Sequence, residues 1–120
     1  MEKEPLDQLK DFLYKDSIIE IFIPYYKSTD LQVDNDKAMD IIDHFILQHF
    51  SFFQKSNNIT YIKNQKGETI EIWGKVFYIN ENDEIIKEKI NTLIDFIKTI
   101  KTTIKEENIL LKYKGSIYKI

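Results

Sequence analysis

The chain has 120 residues and a formal net charge of −3, and 42% of its residues are hydrophobic while 31% are charged. This composition is typical of one globular domain with a single core. Because there is no cysteine, disulfides, zinc–thiolate sites, iron–sulfur clusters and thiol catalysis are excluded, and the three glycines are too few for a phosphate-cradling loop.

The charged residues also narrow the range of partners. All 17 basic residues are lysines, and arginine is the usual bidentate reader of phosphate and guanine, so nucleic acid is disfavoured as a partner. The charge is uneven, with −5 in residues 1–60 and +2 in residues 61–120. No apolar run reaches the ~20 residues that span a bilayer, and the acidic N-terminus lacks a signal-peptide pattern. We therefore expect a cytoplasmic protein with no membrane partner.

The first half of the chain predicts two helices around one strand. Pro5 begins a short helix within an extension of residues 1–16, which docks on the domain or on a partner. Residues 17–24 form a strand with three isoleucines on one face and Phe22 on the other. The next helix begins at Asp34 or Asp36 and runs to about Phe50.

The second half predicts two hairpins separated by a long helix. Residues 59–63 and 68–79 are strands joined by a turn, and Gly74 indicates a bulge or bend. A helix then begins at Asn80 or Asn82, and its apolar residues recur at steps of three and four: Ile86, Ile90, Leu93, Ile97, Ile100 and Ile104. Residues 109–113 and 116–120 are predicted as a terminal hairpin.

This order of elements favours a ferredoxin-like α+β sandwich over residues 17–120. The pattern is β-α-β-β-α-β with an N-terminal helix and a possible extra C-terminal strand. Two helices cover one face of the antiparallel sheet, so the second face is either wet or covered by something else.

The alternation of the strands assigns Glu20 to that second face together with five candidate interface residues: Phe22, Trp73, Lys75, Phe77 and Ile79. Leaving each large apolar side chain in water costs about 1.5–3 kcal/mol, and such patches usually mark contact surfaces. The N-terminal helix, a second subunit or a small apolar ligand could each cover them. The pattern favours a non-enzymatic protein-interaction module whose partner is another protein or a second copy of the chain, as in a homodimer.

Two other functions stay open. The first is a small-molecule-binding protein or a cofactor-free enzyme of the dimeric ferredoxin-like type, in which His44 or Glu71 transfers protons. The second is an immunity or inhibitor protein with an acidic surface formed by Asp30, Asp34, Asp36, Asp40 and Asp43. No catalytic residue is assigned, and neither a metal nor a cofactor is predicted, because the acidic run lacks the glycine and third ligand of a calcium loop.

Three segments carry a resemblance to a known group of proteins: residues 21–24, 66–71 and 105–111, the last followed by Gly115. Their layout resembles a group of small uncharacterised bacterial proteins with a ferredoxin-like core. The chain departs from that group at residues 52–54, where Phe-Phe-Gln replaces Phe-Gly-Gly, and it has no tryptophan near Tyr61. The resemblance implies the fold and no mechanism, and Glu71 is the one acidic residue that it carries over.

Overall fold

The structure is a computed structural model that describes residues 5–27 and 36–120. Its elements, in chain order, are α1 (Pro5–Leu9), a 3-10 turn (Lys10–Phe12), β1 (Ser17–Lys27), α2 (Asp36–His49), β2 (Phe52–Lys63), β3 (Thr69–Glu81), α3 (Asp83–Thr103), β4 (Leu110–Tyr113) and β5 (Ser116–Lys119). None of the helices in the described ranges combines the length and the hydrophobicity that a membrane span requires.

The strands form one sheet in the order β2-β3-β1-β4-β5, and every neighbouring pair is antiparallel. The hydrophobic cluster that joins β1 and β3 to α2 and α3 lies on one face of this sheet. The prediction of an α+β fold, with an antiparallel sheet and two long helices on one face, is therefore confirmed at this level.

The core is built from alternate residues of the two central strands. Ile19 pairs with Ile79 and Ile21 pairs with Phe77, and all four side chains are buried. The helices contribute the other side of the cluster with residues at helical spacing: Ala38, Met39, Ile42 and Ile46 from α2, and Ile86, Leu93, Ile97 and Ile100 from α3. Burial of this face leaves the intervening residues of β1 and β3 on the other face, which we call the open face.

The predicted division of β3 between the two faces is wrong. Phe77 and Ile79 were expected on the open face, but both are 0% exposed and lie in the core beneath the helices. Trp73 and Lys75 share their face by alternation, and Trp73 lies nearer the hairpin turn, where it is 40% exposed. Of the five candidate interface residues, Phe22 alone belongs on the open face, opposite Val76, and Glu20 lies on that face as predicted.

The physical reason for the error is that β3 is apolar at both parities. Ile70, Ile72 and Val76 fall on one face, and Trp73, Phe77 and Ile79 fall on the other, so the two-residue period does not choose between them. The choice is made by the register with β1, which sets Phe77 and Ile79 opposite the buried isoleucines.

Residues 5–13 of the N-terminal segment do not cover the open face. Leu6, Leu9, Phe12 and Leu13 are 60–79% exposed, so the short helix and the turn after it bury little against the domain. The ring of Tyr14, after this turn, stacks on the ring of Phe52, with the two ring centroids 5.7 Å apart.

Three separate chain segments meet at the buried carboxylate of Glu81, which is 1% exposed. Its Oε1 accepts hydrogen bonds from Lys15 Nζ at 2.8 Å and from the Asn82 amide at 3.0 Å. Its Oε2 accepts bonds from the Ser51 amide at 2.8 Å and the Ser51 hydroxyl at 2.9 Å. Burial acts to raise the pKa of Glu81, but these donors outweigh it and lower the pKa from 4.5 to about 2.

We expect Glu81→Gln to destabilise the fold and to change its response to acid. Because the folded pKa is depressed, the carboxylate stabilises the protein above its unfolded pKa, and this stability is lost as the pH falls from about 4.5 to about 2. Glutamine removes this contribution of the carboxylate to stability and leaves the ammonium of Lys15 without its buried partner. The free energy of unfolding should therefore fall by about 3 kcal/mol near neutral pH.

Urea unfolding at about pH 7 and about pH 3 measures both effects. The wild-type protein should lose stability between the two pH values, and the variant should lose less. The matched control is Glu68→Gln, at an exposed carboxylate in the hairpin turn, which should behave like the wild type. Equal acid sensitivity in Glu81→Gln and wild type would contradict the assignment.

A second pair of variants tests which face of β3 is inside. Phe77→Ala removes a fully buried ring and should lower the free energy of unfolding by about 3–5 kcal/mol. Trp73→Ala removes a larger ring that is 40% exposed, and its cost should be clearly smaller. Urea unfolding of the two variants compares them directly, and a larger loss at Trp73 would reverse the assignment of the faces.

Candidate functional site

The centre of the open face is apolar, and its edges are polar. In register across the strands lie Thr60 of β2, Ile72 and Val76 of β3, Glu20 and Phe22 of β1, and Leu110 and Lys112 of β4. Neither α2 nor α3 packs on this face, because their buried residues all belong to the cluster on the opposite side. The sheet therefore offers an apolar floor to a ligand.

A cavity of about 570 Å³ lies on this floor. Its apolar lining consists of Phe22, Pro24, Ile62, Ile72 and Leu110. A second cavity of about 270 Å³ shares Phe22, Thr60 and Leu110 with the first, so the two form one trough along the open face. The volume of the first cavity falls within the ~300–1,000 Å³ of small-molecule sites.

Charged residues of both signs surround the trough. Around the larger cavity stand Lys63 at the end of β2, Lys119 of β5, and Lys105, Glu106 and Glu107 in the turn between α3 and β4. Around the smaller cavity, Lys112 Nζ and Glu20 Oε2 lie 4.0 Å apart as an ion pair. An apolar floor with a rim of mixed charge suits a ligand that has an apolar body and a charged end.

The ring of Phe22 lies over Gly74, where β3 has no side chain. A Cβ atom at Gly74 would lie 2.4 Å from the carbonyl oxygen of Ile23 and 2.7 Å from two atoms of the Phe22 ring. The register of β1 against β3 also shifts here, between Pro24 and Tyr26, which agrees with the irregularity predicted near Gly74. Gly74 is therefore what allows the Phe22 ring to lie along the floor of the trough.

The two predicted proton-transfer residues do not lie in the trough. His44 is exposed on α2, on the far side of the sheet. Glu71 is half-buried, lies on the helix side of β3 by alternation, and accepts a hydrogen bond from Trp73 Nε1 at 2.9 Å. Neither residue lines either cavity of the trough, so the structure does not bring them together at this site.

The predicted acidic surface is only partly described. Asp30 and Asp34 lie outside the described residues, and Asp36 begins α2. Asp40 is exposed, whereas Oδ2 of Asp43 accepts a hydrogen bond from Lys55 Nζ at 2.8 Å, so its charge is balanced locally. Across residues 5–27 and 36–120, no group of three acidic or histidine side chains is placed to hold a metal ion.

The basic part of the rim was not among the sites predicted from the sequence. Lys63, Lys105 and Lys119 are far apart along the chain and come together only when β2, β5 and the end of α3 take their places around the sheet. For the floor of the trough, the alternation of residues in β1 did predict the position of Phe22 on the open face.

Comparisons with known proteins return one informative likeness. No family model matches the chain, and no curated protein matches it. Among solved structures, the chain resembles a phage SAM lyase in complex with S-methyl-5'-thioadenosine, with a TM-score of 0.55 and 17% sequence identity. The match covers 90% of this chain and 92% of the lyase chain, and at this identity it concerns the fold.

The likeness overturns the prediction of a non-enzymatic, self-associating interaction module. The structure that shares this fold over nearly its whole length is that of an enzyme. The side chains on which the prediction depended also fail to support it, because Phe77 and Ile79 are core residues and not an exposed apolar surface.

We expect Gly74→Ala to disturb both the fold and the floor of the trough. The added methyl group meets a backbone carbonyl and the ring of Phe22, so the free energy of unfolding should fall by about 1–3 kcal/mol. Urea unfolding measures this loss. A glycine-to-alanine change at the exposed Gly67 cannot serve as the control, because the positive φ there would itself strain an alanine. The control is Thr99→Ala on the outer face of α3, which should lower the free energy of unfolding by less than about 1 kcal/mol.

Proposed function

We propose that the protein is an enzyme that binds S-adenosylmethionine in the trough of the open face and releases methylthioadenosine from it. The observation that carries the proposal is the likeness of fold to a SAM lyase over nine tenths of both chains. Independent support comes from the size of the cavity and from the distribution of apolar and charged residues around it.

The trough fits the two ends of such a substrate. The adenine ring is flat and weakly polar, and the floor offers the Phe22 ring with the aliphatic side chains of Ile72 and Leu110 for it to pack against. The other end of S-adenosylmethionine carries a carboxylate and an ammonium group. The turn between α3 and β4 has Lys105, Glu106 and Glu107 next to one another, and Lys63 and Lys119 complete the rim, so each charge has a complement.

The proposed cleavage depends on the polarity of the site and does not require a nucleophile from the protein. A lyase that yields methylthioadenosine breaks the bond between the sulfonium sulfur and the amino-acid chain, and the electron pair of that bond stays on sulfur as the neutral thioether. The carbon that leaves the sulfur gains a new bond in one of two ways. Either the carboxylate of the same fragment bonds to it and closes a ring, or the fragment loses a proton and forms a double bond, so no water is consumed. An apolar floor disfavours the buried sulfonium charge relative to the neutral thioether, which favours cleavage.

We also propose that the domain is ferredoxin-like in the narrower sense. The support is the order of its first four strands, in which β3 and β1 are central and β2 and β4 lie outside them, together with the placement of α2 and α3 on one face. In this arrangement β5 extends the sheet beyond β4.

The experiment is to incubate the purified chain with S-adenosylmethionine and to follow methylthioadenosine by liquid chromatography and mass spectrometry. Phe22→Ala removes the aromatic part of the floor and should lower the rate at limiting substrate at least about tenfold. The control is Leu47→Ala, at a residue 60% exposed on α2, which should keep the wild-type rate. A wild-type chain that forms no methylthioadenosine, and that does not bind it in calorimetry, would overturn the proposal.

A further inference from the structure

Two described residues other than glycine have a left-handed backbone: Lys105, with φ of 58°, and Lys114, with φ of 50°. This conformation brings the Cβ atom too close to the following carbonyl, so side chains other than glycine seldom adopt it. A lysine at such a position needs a reason beyond local backbone preference.

Lys114 has a structural reason. Together with Gly115, whose φ is 81°, it forms the tight turn between β4 and β5, which requires positive φ at both positions. Its Nζ donates to Asp83 Oδ2 at 3.0 Å, and the hydroxyl of Tyr113 also donates to Asp83. The side chain of Lys114 thus fixes the turn to the start of α3.

Lys105 occupies the equivalent of a glycine at the end of α3. Its amide donates to the carbonyl of Thr102 at 3.3 Å, and the amide of Glu106 donates to that of Lys101 at 3.0 Å, which is the paired pattern of a Schellman motif. Glycine is the usual residue at this position of the motif. The side chain of Lys105 is exposed, has no ion pair in the described part of the chain, and lines the larger cavity.

Two more lysines reach the same cavity from other strands. Lys63 comes from β2 and Lys119 from β5, and neither forms an ion pair with any residue that the structure describes. Lysines that border an apolar cavity without a carboxylate partner form a site for an anion, because a ligand carboxylate there gains charge-assisted hydrogen bonds. Glu107 stands in the same turn and provides a negative group for an ammonium.

We infer that the turn from Lys105 to Glu107 is the subsite for the free amino-acid end of the ligand, with Lys105 binding its α-carboxylate. The substrate class is then a nucleoside that carries an amino acid through sulfur, and not a nucleoside alone. The inference rests on the proposed function and adds to it a residue that distinguishes the substrate from its nucleoside product. The left-handed lysine is explained because the chain retains an ammonium group where glycine would suit the backbone better.

The test uses two probes that are not sulfonium compounds and are therefore not cleaved by the proposed reaction. S-adenosylhomocysteine keeps the amino acid and lacks the sulfonium charge, and methylthioadenosine lacks the amino acid. In Lys105→Gly the affinity for S-adenosylhomocysteine, measured by calorimetry, should fall about tenfold, while that for methylthioadenosine stays within about twofold. The midpoint of urea unfolding should be no lower than that of the wild type, because glycine relieves the backbone at this position.

The matched control is Lys66→Gln, which removes one positive charge from the hairpin turn away from the cavity and should leave both affinities unchanged. Lys105→Gly that weakens both ligands equally, or neither, would overturn the inference while the proposed function stands. A wild-type chain that binds neither probe and forms no methylthioadenosine would instead overturn the proposed function, and the inference with it.

Discussion

The pairing of β1 with β3 is the constraint on which the rest of the molecule depends. In this antiparallel register, Ile19 and Ile21 meet Ile79 and Phe77 on one face, while Phe22 meets Val76 on the other. A slip of one residue would exchange the two faces and expose the core. The two central strands therefore supply both the hydrophobic core and the floor of the trough, so the floor cannot be changed without regard to the packing a few ångströms behind it.

The sequence predicted most strongly those features that one element decides alone. The spacing of apolar residues fixed α3, and alternation in β1 put Phe22 on the open face. The faces of β3 depend on its partner and were reversed. The prediction begins this strand at residue 59 and misses its first half, where residues 56–58 are polar, although an edge strand tolerates such residues. The charged rim could not be predicted, because it is assembled from three parts of the chain that meet only in the fold.

The charged side chains fall into two groups with different surroundings. The carboxylate of Glu81 is buried, and each of its oxygens accepts hydrogen bonds from neighbouring segments, so its charge is fully used in holding the fold. Asp83 serves a similar purpose at the start of α3, where Lys114 and Lys87 lower its pKa. The lysines around the larger cavity, Lys63, Lys105 and Lys119, are exposed and form no ion pair in the described ranges, whereas Lys112 beside the smaller cavity pairs with Glu20. This contrast, and not the number of charges, separates the structural groups from the candidate functional ones.

The position of β2 at the edge of the sheet has a consequence for how the chain behaves at high concentration. This strand is 12 residues long and pairs with β3 along one side, and no strand of residues 5–27 or 36–120 pairs with its other side, so the amide and carbonyl groups there can template the strand of a neighbouring molecule. Ile59 and Tyr61 add exposed apolar surface near its end. Asn57 and Asn58, which are poor strand formers, interrupt the run. Replacing them with β-branched residues would raise the strand propensity of this edge and, with it, the tendency of two copies of the chain to pair there.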